Sequence, residues 1–282
     1  MWRKVSFFLL LCLNVGGVMF VFYYIRWNHL WQECSPIPAY QIEYHQDDTL
    51  RILIIGDSWA ERHSFHQDNL LCSLLRKEVI CPVKVVSKGK GGEKSREIYQ
   101  LMFTNDGYGT KPFLESGVDY CIIFAGINDA AANRGTKQFC YHYKLILDLL
   151  LKNHIVPVVI EIPDVDIWYV FKNKPSKDLL GDLMKSTMTQ CKMYCFHEYR
   201  EALYSMLQKE NLSDRVVYVP MTKWNGDGDQ INPSLFTEDK IHLNREGYHK
   251  LDESIATAIA DYLHQSRHHI LLNNPMHQDT HH

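Results

Sequence analysis

The sequence predicts an α/β fold with three layers, α/β/α, around a parallel sheet, preceded by one N-terminal transmembrane helix. From residue 50 onward, short apolar runs of strand length alternate with helical patterns, and polar or glycine-rich turns follow the strands. A long uncharged run near the N-terminus predicts the transmembrane helix. A chain of 282 residues is long enough for one sizeable domain with appendages or for two small domains.

The N-terminal run from Val5 to Ile25 contains no charged residue, and its 21 residues would rise about 31 Å as a helix, enough to cross a hydrocarbon core. We therefore expect a membrane anchor in residues 1–25. A cleaved signal peptide is the alternative, but small residues do not follow the run, which instead continues through aromatic residues into Arg26. Arg3 and Lys4 precede the span, so we expect a cytoplasmic N-terminus and an extracytoplasmic domain; secretion after cleavage is the alternative.

The rest of the chain divides by composition. Residues 26–49 contain two prolines and no clear periodicity, which predicts a linker. Residues 50–265 are expected to form the folded domain. Residues 266–282 are rich in histidine and asparagine and predict a flexible tail, with metal binding by the histidines as the alternative.

Composition also bears on partners and cofactors. The formal net charge is -3, so we expect no nucleic-acid partner. Cys191 and Cys195 lie one helical turn apart, but no second cysteine pair at zinc-finger spacing accompanies them, so no metal site is predicted. Nothing in the sequence indicates an oligomeric state.

The strands of the domain are predicted from apolar runs rich in β-branched residues, which suit a sheet covered on both faces. They are residues 51–55, 83–87, 119–124, 156–162 and 215–219. Helical patterns lie between and after them, near residues 60–78, 93–104, 137–153, 177–210 and from 245 onward. Because parallel crossovers are right-handed, the loops that follow the strands should meet at one edge of the sheet.

Four motifs that could carry catalytic groups lie at strand ends or just before the last helix. They are Gly56-Asp57-Ser58, the glycine-rich stretch 87–92, Gly126-Ile-Asn-Asp129 and Asp239-Lys-Ile-His-Leu-Asn244. The glycine-rich stretch lacks the spacing of a dinucleotide site and of a P-loop. Each motif alone is also explained as an ordinary turn, and Asp-x-x-His occurs twice more in the chain. Their joint placement at one sheet edge favours a catalytic site over four unrelated turns.

Together the motifs offer what acyl transfer requires. Ser58 supplies a hydroxyl nucleophile, His242 a base, and Asp239 a carboxylate to orient that base. The backbone N–H groups of Ser58 and Gly92 and the side-chain amide of Asn128 could stabilise the developing oxyanion.

The order of these motifs resembles the SGNH, or GDSL-type, hydrolase family over roughly residues 50–265. The resemblance implies a flavodoxin-like fold and hydrolysis of esters, often of acyl groups on lipids or carbohydrates, without a metal or organic cofactor. By position, Ser58 matches the nucleophile, Asp239 and His242 the other catalytic pair, and Gly92 and Asn128 the oxyanion donors.

The chain also departs from the family pattern. Ser87 stands where asparagine is usual and Lys94 where threonine is usual, so Gly89 or Gly91 could be the oxyanion donor instead of Gly92. A bulky residue, Trp59, directly follows the nucleophile.

Aromatic residues in or near predicted loops, Trp59, Trp168 and Trp224, could stack on sugar rings, with core packing as the alternative. We expect Trp59 to narrow the acyl pocket and so to favour acetyl groups. His63 and His66, on the helix after Ser58, are expected at the surface.

The expected function is therefore that of a membrane-anchored serine esterase that removes acetyl groups from a carbohydrate, and the resemblance to anchored bacterial members of the family near glycan pathways points the same way. The alternatives are transfer of the acyl group to a glycan through the same serine, or a non-catalytic module that binds a glycan or nucleotide.

Overall fold

The structure is a computed structural model that describes residues 2–32, 40–63, 65–165, 172, 174–225 and 232–273. It divides into two compact units, Met1–Pro38 and Ala39–His282.

The first unit contains helix α1, Trp2–Gln32. Its segment Lys4–Ile25 has a mean hydropathy of 2.4 over 22 residues. That length and composition fit a membrane anchor, and a signal sequence has the same properties. The helix runs seven residues beyond the predicted anchor because residues 26–32 contain neither glycine nor proline, the residues that break helices.

Within its described residues, the second unit contains five strands that are all parallel. They are β1 Leu50–Gly56, β2 Val83–Gly89, β3 Tyr120–Phe124, β4 Val156–Ile160 and β5 Val217–Val219. Their order in the sheet is β2-β1-β3-β4-β5. This is the flavodoxin-like order, so the predicted fold class is confirmed. Gly56 pairs with both Gly89 and Phe124, so the ends of β1, β2 and β3 lie level at one edge of the sheet.

Helices precede, connect and follow the strands. They are α2 Ser58–Arg62, α3 Phe65–Glu78, α4 Ser95–Leu101, α5 Lys111–Glu115, α6 Ile127–Ala131, α7 Thr136–Lys152, α8 Ser176–Thr189, α9 Phe196–Lys209 and α10 Arg245–Asn273. In the part of the chain that the structure describes, short 3₁₀ helices lie at Ser213–Arg215, Met221–Lys223 and Pro233–Leu235. Helix α3 packs against α10, and α7 packs against α4 and α9. The strands between these layers are buried: Leu53, Ile54 and Ile55 have no exposed surface.

Two predicted helices are each divided in the structure. The pattern over 60–78 forms α2 and α3, because α2 ends at His63, whose ψ of 78° is not helical. The pattern over 177–210 forms α8 and α9, because Gln190 adopts a left-handed conformation with φ +57°. Short helices such as α5 and α6 have too few residues for a periodic pattern and were not predicted.

Both ends of the predicted domain also differ in the structure. The predicted linker already packs on the domain from residue 40: the Tyr40 hydroxyl donates to the Met102 carbonyl, and the Glu43 N–H donates to the Glu115 carbonyl at 2.8 Å. At the other end, α10 runs to Asn273, into the predicted tail. Within the predicted tail, neither glycine nor proline interrupts the chain up to there, and the residue before Pro275 is disfavoured in a helix. The rest of the tail lies outside the described residues.

Candidate active site

Ser58 lies at the point where β1 gives way to α2. Gly56 has φ +152°, and a Cβ atom there would lie 2.2 Å from the Phe124 carbonyl oxygen, so only glycine lets the chain leave the strand here. Asp57 then caps the helix, because its Oδ1 accepts a hydrogen bond from the Trp59 N–H at 2.9 Å. As the first residue of α2, Ser58 has a backbone N–H with no partner within the helix.

The predicted serine, histidine and aspartate form one hydrogen-bonded chain. The distance between Ser58 Oγ and His242 Nε2 is 2.8 Å, and that between His242 Nδ1 and Asp239 Oδ2 is 2.7 Å. With Nδ1–H donated to the carboxylate, Nε2 is left to accept the serine proton. The sequence separates Ser58 from His242 by 184 residues, and the sheet edge brings them together.

Asp239 is held as an anion. Its Oδ1 accepts hydrogen bonds from the backbone N–H groups of Ile241 and His242, both at 2.9 Å, and from the Thr237 hydroxyl at 2.7 Å. Burial by itself raises the pKa of Asp239, but these hydrogen bonds and the one from the His242 ring outweigh it and hold the pKa well below its usual range. The carboxylate therefore stays ionised at any pH near neutral and can stabilise a protonated His242.

Among the glycines that follow β2, Gly92 has the most accessible N–H. Gly92 has φ +79° and open space around its Cα, and within the described part of the chain its N–H donates no hydrogen bond. The Gly91 N–H is already bonded to Glu61 Oε2 at 3.1 Å. A Cβ atom on Gly89 would lie 2.2 Å from the Glu61 backbone nitrogen, so Gly89 serves the close packing of β2 against α2. The geometry thus favours Gly92 as an oxyanion donor.

Asn128 lies in the first turn of α6 beside the cap of the nucleophile helix. Its Nδ2 is 3.1 Å from Asp57 Oδ2 and 3.1 Å from the Glu93 carbonyl oxygen. Both amide hydrogens are therefore donated inside the protein, so one of these bonds must be exchanged before Asn128 can serve an oxyanion.

Comparisons with known proteins agree with this geometry. Residues 54–250 match the model of the GDSL-like lipase/acylhydrolase family, which is well over half of the chain. The chain belongs to the GDSL-like lipase/acylhydrolase family. It is therefore a serine hydrolase that acts on ester bonds, as predicted. No curated protein was found to match the chain.

Solved structures show that this GDSL-like hydrolase shares its fold with other proteins. A G-D-S-L family protein from Desulfitobacterium hafniense DCB-2 is 18% identical with a TM-score of 0.51, over 76% of this chain and 99% of that one. An acylhydrolase structure from Bacteroides fragilis NCTC 9343 is 16% identical with a TM-score of 0.52, over 79% of this chain and 92% of that one. A GDSL-like lipase structure from Parabacteroides merdae ATCC 43184 is 14% identical with a TM-score of 0.52, over 77% and 98%.

A buried carboxylate that the sequence analysis did not assign holds the glycine loop of this GDSL-like hydrolase. Asp129 accepts hydrogen bonds from the Ser95 N–H at 2.9 Å and the Ser95 hydroxyl at 2.7 Å, which fixes the start of α4 directly after the loop. Burial raises the pKa of Asp129 to about 6. Burial, and then the neighbouring Asp129, likewise raises the pKa of Asp57 to about 7. Both residues belong to predicted motifs, but their side-chain partners are distant in sequence.

Two of the three aromatic residues predicted to bind substrate are in the core. Trp59 is 1% exposed and Trp224 is 2% exposed, and their rings contact each other edge to face at a centroid distance of 5.9 Å. Trp59 points inward because the second residue of α2 faces the sheet, where it also packs on Phe124 and Phe236. The prediction that Trp59 lines the acyl pocket is therefore wrong. Trp168 lies outside the described residues.

The cavity on the core side of α2 is small. The cavity that Asp57 and Trp59 line has a volume of about 10 Å³, no more than one water molecule needs. A cavity of about 950 Å³ lies along β5 and α10, and neither Ser58 nor His242 is among the described residues that line it. Within the described residues there is also no cluster of three or more histidine, cysteine, aspartate or glutamate side chains that could hold a metal ion.

His63 is the second site prediction that the structure corrects. It has no exposed surface, whereas His66 is exposed as expected. The His63 ring lies between two carboxylates, with Nδ1 2.8 Å from Asp68 Oδ1 and Nε2 2.9 Å from Asp252 Oδ1. Because α2 ends at this residue, its side chain turns toward α10 instead of following the exposed face of a continuous helix.

Proposed function

We propose that this chain is a membrane-anchored serine esterase that removes short acyl groups, acetyl in particular, from a carbohydrate. Ester hydrolysis follows from the family; the acyl group, the carbohydrate and the membrane location are the proposal. The observation that carries the proposed chemistry is the chain of hydrogen bonds from Ser58 Oγ through His242 to Asp239, at 2.8 and 2.7 Å.

In the proposed mechanism, Ser58 Oγ attacks the ester carbonyl while His242 Nε2 takes the serine proton. The carbonyl oxygen becomes an oxyanion next to the N–H groups of Ser58 and Gly92. As the tetrahedral intermediate collapses, the alkoxide of the leaving group takes the proton from His242 and departs as an alcohol, which leaves an acyl-serine. Water then attacks the acyl-serine with His242 as base, and the carboxylic acid is released as Ser58 regains its proton.

Asp239 and Asn128 have distinct roles in this mechanism. Asp239 keeps the proton of neutral His242 on Nδ1 and stabilises the imidazolium that forms in each half-reaction. Asn128 contributes once the developing charge competes for one of its two amide hydrogens. Removing one such donor usually lowers kcat about 10²-fold to 10³-fold.

The small cavity on the core side of α2 supports a short acyl group. The cavity that Asp57 and Trp59 line has room for about one water molecule, so it has no room for a long acyl chain. We therefore expect a short acyl group to lie on the solvent-facing side of Ser58, which is half-buried.

The charged rim of the site supports a polar, hydrated substrate such as a carbohydrate. Arg62 Nη1 lies 3.6 Å from Asp239 Oδ2, Glu61 accepts a hydrogen bond from Gly91, and Lys94 Nζ donates to the Gly92 carbonyl at 2.8 Å. Such a rim is costly to dehydrate against a lipid tail and can exchange hydrogen bonds with hydroxyl groups. An anchor in Lys4–Ile25 with the N-terminus in the cytoplasm would place the domain where surface glycans are exposed.

The test is hydrolysis of p-nitrophenyl acetate, butyrate and octanoate, and of acetylated oligosaccharides, by wild-type protein and by Ser58→Ala. We expect the variant to stay folded and to lose turnover, and the acetate ester to be hydrolysed faster than octanoate. Normal turnover by Ser58→Ala would refute the mechanism. Equal turnover of acetate and octanoate would refute the preference for short acyl groups. If the labelled acyl group of a donor appeared on an acceptor sugar, the reaction would be acyl transfer and not hydrolysis.

A further inference from the structure

A buried network centred on His63 joins the three chain segments that carry the predicted catalytic groups. His63 is the residue at which α2, the helix of Ser58, ends. Its partner Asp252 lies in α10, the helix that follows the His242 loop. Its other partner, Asp68, uses Oδ2 to accept a hydrogen bond from the Ser87 N–H at 3.2 Å, five residues before Gly92.

Further contacts tie the same three segments together. The Ser87 hydroxyl donates to the His63 carbonyl. The Tyr248 hydroxyl donates to the Trp59 carbonyl at 2.9 Å, and the Tyr248 ring contacts the His63 ring edge to face at 5.6 Å. Movement of the His63 ring would therefore be transmitted to α2, to the end of β2 and to α10 together.

The geometry requires a charged ring. An ionised carboxylate only accepts hydrogen bonds, and a neutral imidazole has a single N–H to donate. His63 faces one carboxylate at each nitrogen, so with both carboxylates ionised the imidazolium is the form that satisfies both. Loss of one proton leaves two acceptors facing each other in a site from which water is excluded, which is costly.

We propose that His63 is a positioning residue of the esterase: as a doubly hydrogen-bonded imidazolium, it holds the nucleophile helix, the oxyanion loop and the base loop in register. The inference rests on the proposed function for its kinetic readout. His63 touches neither substrate nor Ser58, so its loss should lower kcat and leave KM nearly unchanged.

The charges around the ring agree with this state. Burial by itself lowers the pKa of His63, but hydrogen bonds and charge attraction from Asp252 and Asp68 outweigh it and raise the pKa to about 9. Burial also raises the pKa of Asp252, although its hydrogen bond and charge attraction to His63 act in the opposite direction. Other titratable groups near the network include Tyr248 and Cys72, whose pKa values are raised by burial, and His249, which lies near Asp252. A histidine in an unfolded chain titrates near pH 6.5. The folded state therefore holds the extra proton across this window, so the stabilisation is complete below about pH 6.5 and is lost as the pH rises through about 9.

Asp252→Asn separates this role from a merely structural one. Asp252 Oδ2 has no partner among the described residues, so an amide fits the same space. The asparagine can donate to Nε2 of a neutral ring while Nδ1–H still reaches Asp68. The variant thus satisfies the network without the extra proton, and it should retain its activity above pH 9, where wild type loses its own.

The experiment measures kcat and KM from pH 6 to 10.5 for wild type, Asp252→Asn and His63→Gln, with exposed His66→Gln as the matched control. We expect wild-type kcat to fall through about pH 9, and Asp252→Asn to move that limb up by one pH unit or more. His63→Gln should lower kcat at least tenfold with KM within about threefold, and His66→Gln should match wild type. An unchanged alkaline limb in Asp252→Asn, or a change confined to KM in His63→Gln, would overturn the proposal.

Thermal unfolding of the same proteins distinguishes failure of this inference from failure of the proposed function. The wild-type Tm should fall between pH 8 and 10 more steeply than the Tm of Asp252→Asn, whether or not an ester is hydrolysed. Labelling by a fluorophosphonate reports the placement of Ser58 without a natural substrate, and it should slow in His63→Gln. If wild type is not labelled, the proposed function fails; parallel Tm profiles refute the charged network.

Discussion

Replacing Asp239 by asparagine moves the hydrogen on the His242 ring and removes the charge that faces Arg62 Nη1 at 3.6 Å. Oδ1 of Asp239 accepts three hydrogen bonds, from Thr237, Ile241 and His242. In Asp239→Asn the amide oxygen must keep that position, because the amide nitrogen cannot accept. The amide nitrogen then faces His242 Nδ1 and donates to it. The ring must place its own hydrogen on Nε2, directed at Ser58 Oγ, and can no longer take the serine proton.

The expected changes in stability and in kcat follow from the interactions that Asp239→Asn keeps and from those that it loses. The three hydrogen bonds to Oδ1 remain but lose the charge assistance that lowers the pKa of Asp239, so we expect the free energy of unfolding to fall by about 1–2 kcal/mol. The wrong tautomer removes general-base catalysis, and an equivalent change in another Ser-His-Asp enzyme lowers kcat about 10⁴-fold. We expect a 10³-fold to 10⁴-fold loss, or about 4–5.5 kcal/mol of transition-state stabilisation.

The assay is kcat on p-nitrophenyl acetate at neutral pH, with urea unfolding to verify stability. Asp261→Asn is the matched control, since Asp261 begins another Asp-x-x-His sequence but lies exposed within α10. The control should behave as wild type. A loss of less than tenfold in Asp239→Asn, in protein that remains folded, would show that His242 does not need this carboxylate and would refute the assigned role.

Three further predictions concern the elements around the triad. Gly89→Ala should destabilise the fold by about 3 kcal/mol in urea unfolding, because its Cβ would lie 2.2 Å from the backbone. Gly92→Ala lies in open space but at φ +79°, so it should destabilise the fold by about 1 kcal/mol. Equal destabilisation by the two variants would contradict the close packing of β2 against α2 at Gly89. Trp59→Phe should remove the hydrogen bond from Nε1 to the Ile241 carbonyl at 3.2 Å and so lower both Tm and kcat. The ratio of the hydrolysis rates of p-nitrophenyl acetate and octanoate should stay unchanged, and a changed ratio would mean that Trp59 contacts substrate. The pKa of Asp57 is about 7 in the folded state and about 3.9 in an unfolded chain, so the folded state binds an extra proton between these pH values. The free energy of unfolding should therefore fall as the pH rises from about 4 to 7. Asp57→Asn should flatten this pH dependence in urea titrations, and an unchanged dependence would contradict the raised pKa of Asp57.

The strand-end motifs could be predicted because their chemistry and their topology are both local in sequence. A buried run such as Leu53–Ile55 predicts a strand, and the polar residues after it must lie at the carboxyl edge of the sheet. Once the sheet is parallel, Ser58 and Asn128 must lie at the same edge, and the order of the motifs adds His242 from the loop before α10. This is why the triad could be assigned from motif order alone.

The contacts that support the triad could not be predicted in this way. His63 and Asp252 are 189 residues apart, and Trp59 and Ile241 are 182 apart, with no motif to pair them. Whether a side chain at the second position or at the C-cap of a short helix points inward depends on where that helix ends. A pattern read as one helix over 60–78 placed His63 at the surface, and the break at that residue buried it.

Carboxylates anchor each of the loops that carry the catalytic groups. Each carboxylate accepts a backbone N–H hydrogen bond from one of these loops. Asp57 accepts from Trp59, directly after Ser58, and Asp68 accepts from Ser87, before the glycine loop. Asp129 accepts from Ser95, directly after that loop, and Asp239 accepts from His242 in its own turn. Loops at a sheet edge have few ladder hydrogen bonds to hold them, so these side chains supply the missing acceptors. Asparagine keeps an acceptor at each position and alanine does not. We therefore expect aspartate-to-alanine substitutions at all four positions to loosen the site even where the triad itself is intact, and asparagine to separate the role of the charge from that of the hydrogen bond.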